Sequence, residues 1–191
     1  MRINFGIGLT PKQKEAYDII HDKKFLIIGN MNAITYKEVF PLIKNNQMWL
    51  GVRSATGGMW FDIVDEASCG TKKVVDGKLL GNTKSVWFTN LDHKKRHEKL
   101  DLYKKYTPEE YPKYDNYDAI EVSKTCEIPM DYKGVMGVPI TFLDKYCPEQ
   151  FEILGMMSGV KDPVFVNGND GRTKFYVNDK GVYARILIKS K

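Results

Sequence analysis

The run Lys24-Phe25-Leu26-Ile27-Ile28-Gly29 constrains the fold more than any other stretch of this chain. It is short, unbroken in its apolar character, rich in branched side chains and closed by glycine. Its length suits a strand. The lack of polar alternation predicts a strand buried on both faces, as in the centre of a parallel sheet. Helix signals flank it. Thr10-Pro11-Lys12-Gln13 supplies an N-cap hydroxyl, a proline at the first helical position and a glutamine able to complete a capping box. Ala16, Ile19 and Ile20 then recur at helical spacing up to about Asp22. A second box opens at Thr35-Tyr36-Lys37-Glu38, followed by the stripe Tyr36, Val39, Phe40 and Ile43, with Pro41 expected to kink or shorten that helix. Met48-Trp49-Leu50-Gly51-Val52 reads as the next strand. Residues 10–52 therefore predict a helix–strand–helix–strand passage, a right-handed crossover unit of an α/β sheet.

Beyond residue 52 the texture changes. Residues 58–64 and 85–89 read as short aromatic strands, separated by polar loops holding Gly70, Gly77 and Gly81. Residues 93–106 suggest a basic helix or an extended arm. Thr107-Pro108-Glu109-Glu110 looks like a third helix start, cut short by Pro112. The last thirty residues read as hairpins, Val164–Val166 with Lys174–Val177 around the turn 167–171, then the turn 178–181 into 182–188. The expected organisation is a single domain over 1–191. Its sheet core spans roughly 10–92, a distinct region 93–160, and C-terminal hairpins over 161–191 pack back on the core.

At 191 residues and 42% hydrophobic content the chain can bury a core without disulfides or metals. Three widely spaced cysteines, Cys69, Cys126 and Cys147, are an odd set for a disulfide framework and read as small buried hydrophobes. No apolar run approaches the roughly 20 residues that cross a bilayer. The expected setting is a reducing cytoplasm, with no membrane partner.

Signatures of nucleophile elbows, Walker loops and cysteine metal sites are missing. His93 and His97 stand four apart, but lysines and an arginine crowd them, so they read as solvent-facing rather than as zinc ligands. Phe5-Gly6-Ile7-Gly8 precedes the first helix as a nucleotide loop would, yet only four residues precede it, too few for the supporting strand. A flexible terminus feeding a capped helix is the simpler account. The net charge of +5 is modest, but its distribution is not. Lys94, Lys95, Arg96, Lys99, Lys104 and Lys105 against Glu98 and Asp101 give residues 93–106 a charge of +4. With Tyr103 and Tyr106 interleaved, that segment can neutralise phosphates and offer stacking faces, or it can be a solvated helix face.

Several blocks carry a resemblance. They are residues 25–30 and 32–38, Trp87-Phe88-Thr89-Asn90-Leu91-Asp92-His93-Lys94-Lys95-Arg96, residues 106–117, Gly137–Tyr146 and Tyr183–Ile188. In this order they resemble the EcoRI-type adenine-specific DNA methyltransferases, from about residue 22 to the end. The resemblance implies a Rossmann-like sheet that binds S-adenosylmethionine and extrudes an adenine from duplex DNA. It also implies an Asn-Pro-Pro-Phe motif, whose amide and carbonyl accept the two amine hydrogens of adenine and localise the nitrogen lone pair for methyl transfer. That motif should fall near Asn4-Phe5-Gly6-Ile7-Gly8, where Asn4 and Phe5 are the degenerate candidates and both prolines are lacking. Asn30-Met31-Asn32 lacks them too. The family's cofactor-binding half has no counterpart, so no cofactor-binding residue is expected in this chain. The expected fold class is α/β, a partial Rossmann-like methyltransferase sheet, mixed with a largely parallel core, bearing a β-rich region and a basic arm. The expected function is that of a truncated or split adenine-N6 methyltransferase that contributes duplex-DNA binding through Lys94, Lys95, Arg96, Lys99, Tyr103, Lys104 and Lys105. A second chain would carry the cofactor half. The alternative is a non-catalytic binding protein derived from such an enzyme, a phage or mobile-element recruiter or inhibitor of a DNA-processing complex.

Overall fold

The computed structural model describes residues 23–53, 57–64 and 71–191. The expected first helix, the glycine loop, Asn4, Phe5 and Cys69 lie outside these residues. The chain divides into two compact units, one of residues 1–33 with 48–91, the other of residues 34–47 with 92–191.

In the first unit, strands β1 (Leu26–Asn30) and β2 (Trp49–Leu50) flank β6 (Ser85–Thr89), and both pair with it antiparallel. β1 and β2 consequently run in the same direction. The expectation of a central parallel strand at residues 24–29 is corrected here. Among the described residues β1 has β6 as its one sheet neighbour, and its burial alternates: Ile27 and Gly29 are buried, Leu26 and Ile28 are 55% and 42% exposed. An apolar run fixes the strand but not its environment, because pairing partners and face coverage are set by segments far away in sequence. Polar ties lock the sheet's end. Phe25 N–H donates to Asn90 Oδ1 at 2.9 Å and Thr89 Oγ1 donates to the Phe25 carbonyl at 2.6 Å. Gly51 is required where β2 ends, since a Cβ there would lie 2.8 Å from Cβ of Trp87.

A second three-stranded sheet in this unit places β5 (Lys78–Thr83) between β3 (Met59–Asp62) and β4 (Thr71–Val75). The segment expected to be polar loops is thus partly a hairpin. Asp76 and Gly77 both adopt positive φ, 49° and 74°, the conformation of a two-residue hairpin turn that matches strand twist. The expected strands at 58–64 and 85–89 appear as β3 and β6.

The second unit holds a five-stranded mixed sheet built from β7 (Lys113–Tyr114), β8 (Tyr117–Glu121), β9 (Met136–Pro139), β10 (Phe151–Met157) and β13 (Arg185–Ser190). The order is β10-β13-β9-β8-β7, and β8–β9 is its one parallel pair. A largely parallel core is therefore not what the described residues form. β13 is an inner strand, with Ile186, Leu187 and Ile188 fully buried between two neighbours. The small hairpin β11 (Tyr176–Val177) with β12 (Lys180–Gly181) turns at Asn178 and Asp179, both at positive φ, whose N–H groups donate to the Asp115 carboxylate. Residues 163–165 form a turn instead of the expected strand, and the Val166 N–H donates to the Met156 carbonyl of β10 at 2.9 Å.

Helix is scarce. The helix expected from Thr35 begins only at Phe40, as α1 (Phe40–Lys44) with Pro41 in its first turn; residues 31–35 are a 3₁₀ turn. The proline sets φ and lacks an N–H, so it is stable at the helix start and disruptive inside. Leu42 and Ile43 of α1 are buried, α1 packs on β10, and Phe40 meets Phe165 at 6.2 Å between ring centres. Likewise, residues 107–111 make a turn rather than a helix. Beneath β8 and β9, Tyr114 stacks on Phe175 at 4.4 Å in a cluster with Ala119, Met157 and Leu187. The Tyr114 ring occupies the space that any side chain at Gly137 would need. Of the cysteines, Cys147 is buried as expected, while Cys126 is exposed in the turn Thr125–Glu127, a correction to its reading as a core residue.

Candidate nucleic-acid interface

The basic segment is an extended arm broken by one short 3₁₀ turn, Lys94–His97. His93 is extended and caps that turn, its Nδ1 accepting the Arg96 N–H at 3.3 Å. No long helix forms because the arm's polar groups are claimed from elsewhere in the same unit. Gln150 clamps Leu100 through both its amide atoms, at 2.7 and 2.8 Å. Lys104 pairs with Pro129 in a parallel bridge, and its carbonyl accepts the Met130 N–H at 2.9 Å. Asp131 receives the Tyr106 N–H at 2.8 Å.

The predicted DNA-binding side chains divide into two groups. Lys95 binds the buried carboxylate of Asp144 at 2.7 Å, Arg96 donates to Asn46 Oδ1 at 3.0 Å, and Lys104 pairs with Glu110 at 3.4 Å. Lys94, Lys99, Lys105 and Tyr103 face solvent. Tyr106 is drawn inward, its ring 4.6 Å from that of Tyr132 and 6.0 Å from that of Tyr111. Sequence spacing does not show these anchors, because Gln150, Asp144 and Asn46 lie about fifty residues from their partners.

His97 is the arm's central tether. Its Nε2 lies 2.8 Å from Asp92 and its Nδ1 lies 2.8 Å from Glu149, so it is not simply solvent-facing. The hydrogen bond to Asp92, then that to Glu149, raises the imidazole's pKa. The Cys147 thiol and the His97 ring, both donating to Glu149, hold that carboxyl down at about 2. Contact with His97 also lowers Asp92. The raised histidine stabilises the tether fully below its unfolded pKa near 6.5, and that contribution is lost as pH rises through the higher folded value. The depressed carboxylates contribute fully above their ordinary values of 3.8 and 4.5, and that contribution is lost as pH falls through their lowered ones. An NMR titration of the His97 ring is expected to give a midpoint above 6.5, a smaller upward shift in Asp92→Asn, where Glu149 still raises it, and faster amide exchange of residues 94–100 above the midpoint. A midpoint at or below 6.5 would contradict the tether.

Asn30 Oδ1 accepts the Asn32 N–H at 2.8 Å, a local turn into the 3₁₀ segment. Cavities of about 450 and 150 Å³ lie in the second unit, lined by Lys44, Asn46, Tyr146 and Glu152 in the larger and by Lys174, Phe175 and Tyr183 in the smaller. Neither cavity has the glycine turn between strand and helix that would cradle a nucleoside cofactor. Among the described residues no helix is long and apolar enough to cross a membrane.

Comparison with known proteins agrees with the blocks that carry the resemblance. Over 179 residues the chain is 48% identical to the type II methyltransferase M.EcoRI of Escherichia coli, a match covering 91% of this chain and 52% of that protein. It is 34% identical to M.MpnI of Mycoplasma pneumoniae over 186 residues, covering 90% and 58%, and 34% identical to M.MgeORF184P of Mycoplasma genitalium over 188, covering 91% and 59%. The chain thus spans little more than half the length of these relatives. No solved structure matches at a significant level. Residues 16–191 match the family model described as adenine-specific methyltransferase EcoRI, and the chain belongs to that family.

Proposed function

We propose that this chain supplies duplex-DNA binding and target recognition to the methylation of adenine N6, with the S-adenosylmethionine-binding half contributed by a second chain. Family membership over residues 16–191 carries the proposal, together with an arm whose backbone is pinned while Lys94, Lys99 and Lys105 are left outward. In the family the cofactor supplies the methyl group. What this chain's own residues do is hold DNA: outward cations neutralise phosphates, and the pinned backbone keeps them in register. We further propose that the β1–β6–β2 sheet, in which two codirectional strands flank an antiparallel one, is one end of a larger sheet of the Rossmann-like kind that the resemblance implies.

Titration calorimetry with S-adenosylmethionine tests the division of labour. The 191-residue chain is expected to give no heat of binding, whereas a dissociation constant in the low micromolar range would contradict it.

A further inference from the structure

The arm contains one large aromatic that packing does not use. Tyr103 is 66% exposed, whereas Tyr106 is packed against Tyr132 and Tyr111 is buried with its hydroxyl donating to the Glu127 carbonyl. Its backbone is held on both sides, by the Gln150 clamp on Leu100 and by the Lys104–Pro129 bridge. Side chains alternate along an extended segment, so Tyr103 and Lys105 share the face opposite Lys104. Lys104 turns to Glu110, and Lys124 pairs with Glu127 at 3.0 Å, so both of these acids are already neutralised. Met130, 47% exposed, follows Pro129 at the bridge and adds apolar surface.

Resting on the DNA-binding reading above, we propose that Tyr103 is a stacking residue for an unpaired nucleobase of DNA. A ring on a pinned backbone loses little freedom on stacking, and its flat face accepts any base. Lys99 and Lys105, four and two residues from it and exposed, are placed to neutralise the flanking phosphates.

The probes are a mixed-sequence duplex, the same duplex with one extrahelical thymine, and a version with 5-iodouracil at that position for photocrosslinking. The wild-type chain is expected to bind the bulged duplex about tenfold or more tightly than the continuous one and to crosslink at Tyr103. Tyr103→Ala should bring the two affinities together without changing the melting temperature or the salt dependence, and Tyr103→Phe should keep the preference. A preference that survives Tyr103→Ala, or a crosslink mapping elsewhere, overturns the stacking role. Salt-dependent binding with no bulge preference in the wild type overturns it too, while leaving the DNA-binding reading intact. Binding to neither duplex overturns both.

Discussion

Replacing Arg185 by methionine is expected to lower the stability of the protein by about 3–5 kcal/mol, because it leaves a buried carboxylate without its cation. Arg185 Nη2 lies 2.6 Å from Glu121 Oε1, its Nε reaches both carboxylate oxygens at 3.0 and 3.1 Å, and neither side chain is more than 13% exposed. The Tyr114 hydroxyl donates to the same carboxylate, and burial pushes its pKa upward. The three groups join β13, β8 and β7, so the pair fixes strand register as well as charge. Substituting both partners, Arg185→Met with Glu121→Leu, should recover most of the loss, since the desolvation penalty disappears with the charges. Urea unfolding at neutral pH measures both. A single-variant loss under about 1 kcal/mol would mean that water reaches the pair.

The sequence allowed strands to be placed more reliably than their neighbours. Ser85–Thr89 and Met59–Asp62 were recognisable from aromatic and branched residues, and Pro41 correctly limited its helix. The hairpin Thr71–Thr83 was hidden because lysines and a glycine break its alternation, although Asp76-Gly77 was a usable turn signal. Nothing local could show that Arg185–Ser190 slots between β9 and β10, since its partners lie some thirty to fifty residues away. The arm shows the same limit. Its charge was visible, but charge alone does not separate Lys95, committed to Asp144, from Lys94, which faces water. Long-range pairing made that division.

That division sets the second large effect. Each phosphate neutralised contributes about 0.9 to the slope of log affinity against log salt. Replacing Lys94, Lys99 and Lys105 by alanine should flatten that slope by up to roughly 2–3 units for any duplex sequence, because phosphate contacts do not read bases. Replacing Lys94, Lys95 and Arg96 should flatten it by only about 1 unit, with a loss of stability as well, since the buried Asp144 carboxylate loses its ion pair with Lys95.

Duplex affinity of the 191-residue chain, measured at several salt concentrations for the wild type and these two triple variants, tests the central claim most directly. Binding to DNA through the pinned arm predicts a steep wild-type slope, a much shallower one for the outward-lysine variant and an intermediate one for the other. Three parallel slopes, or no salt-dependent binding by the wild type, would contradict it.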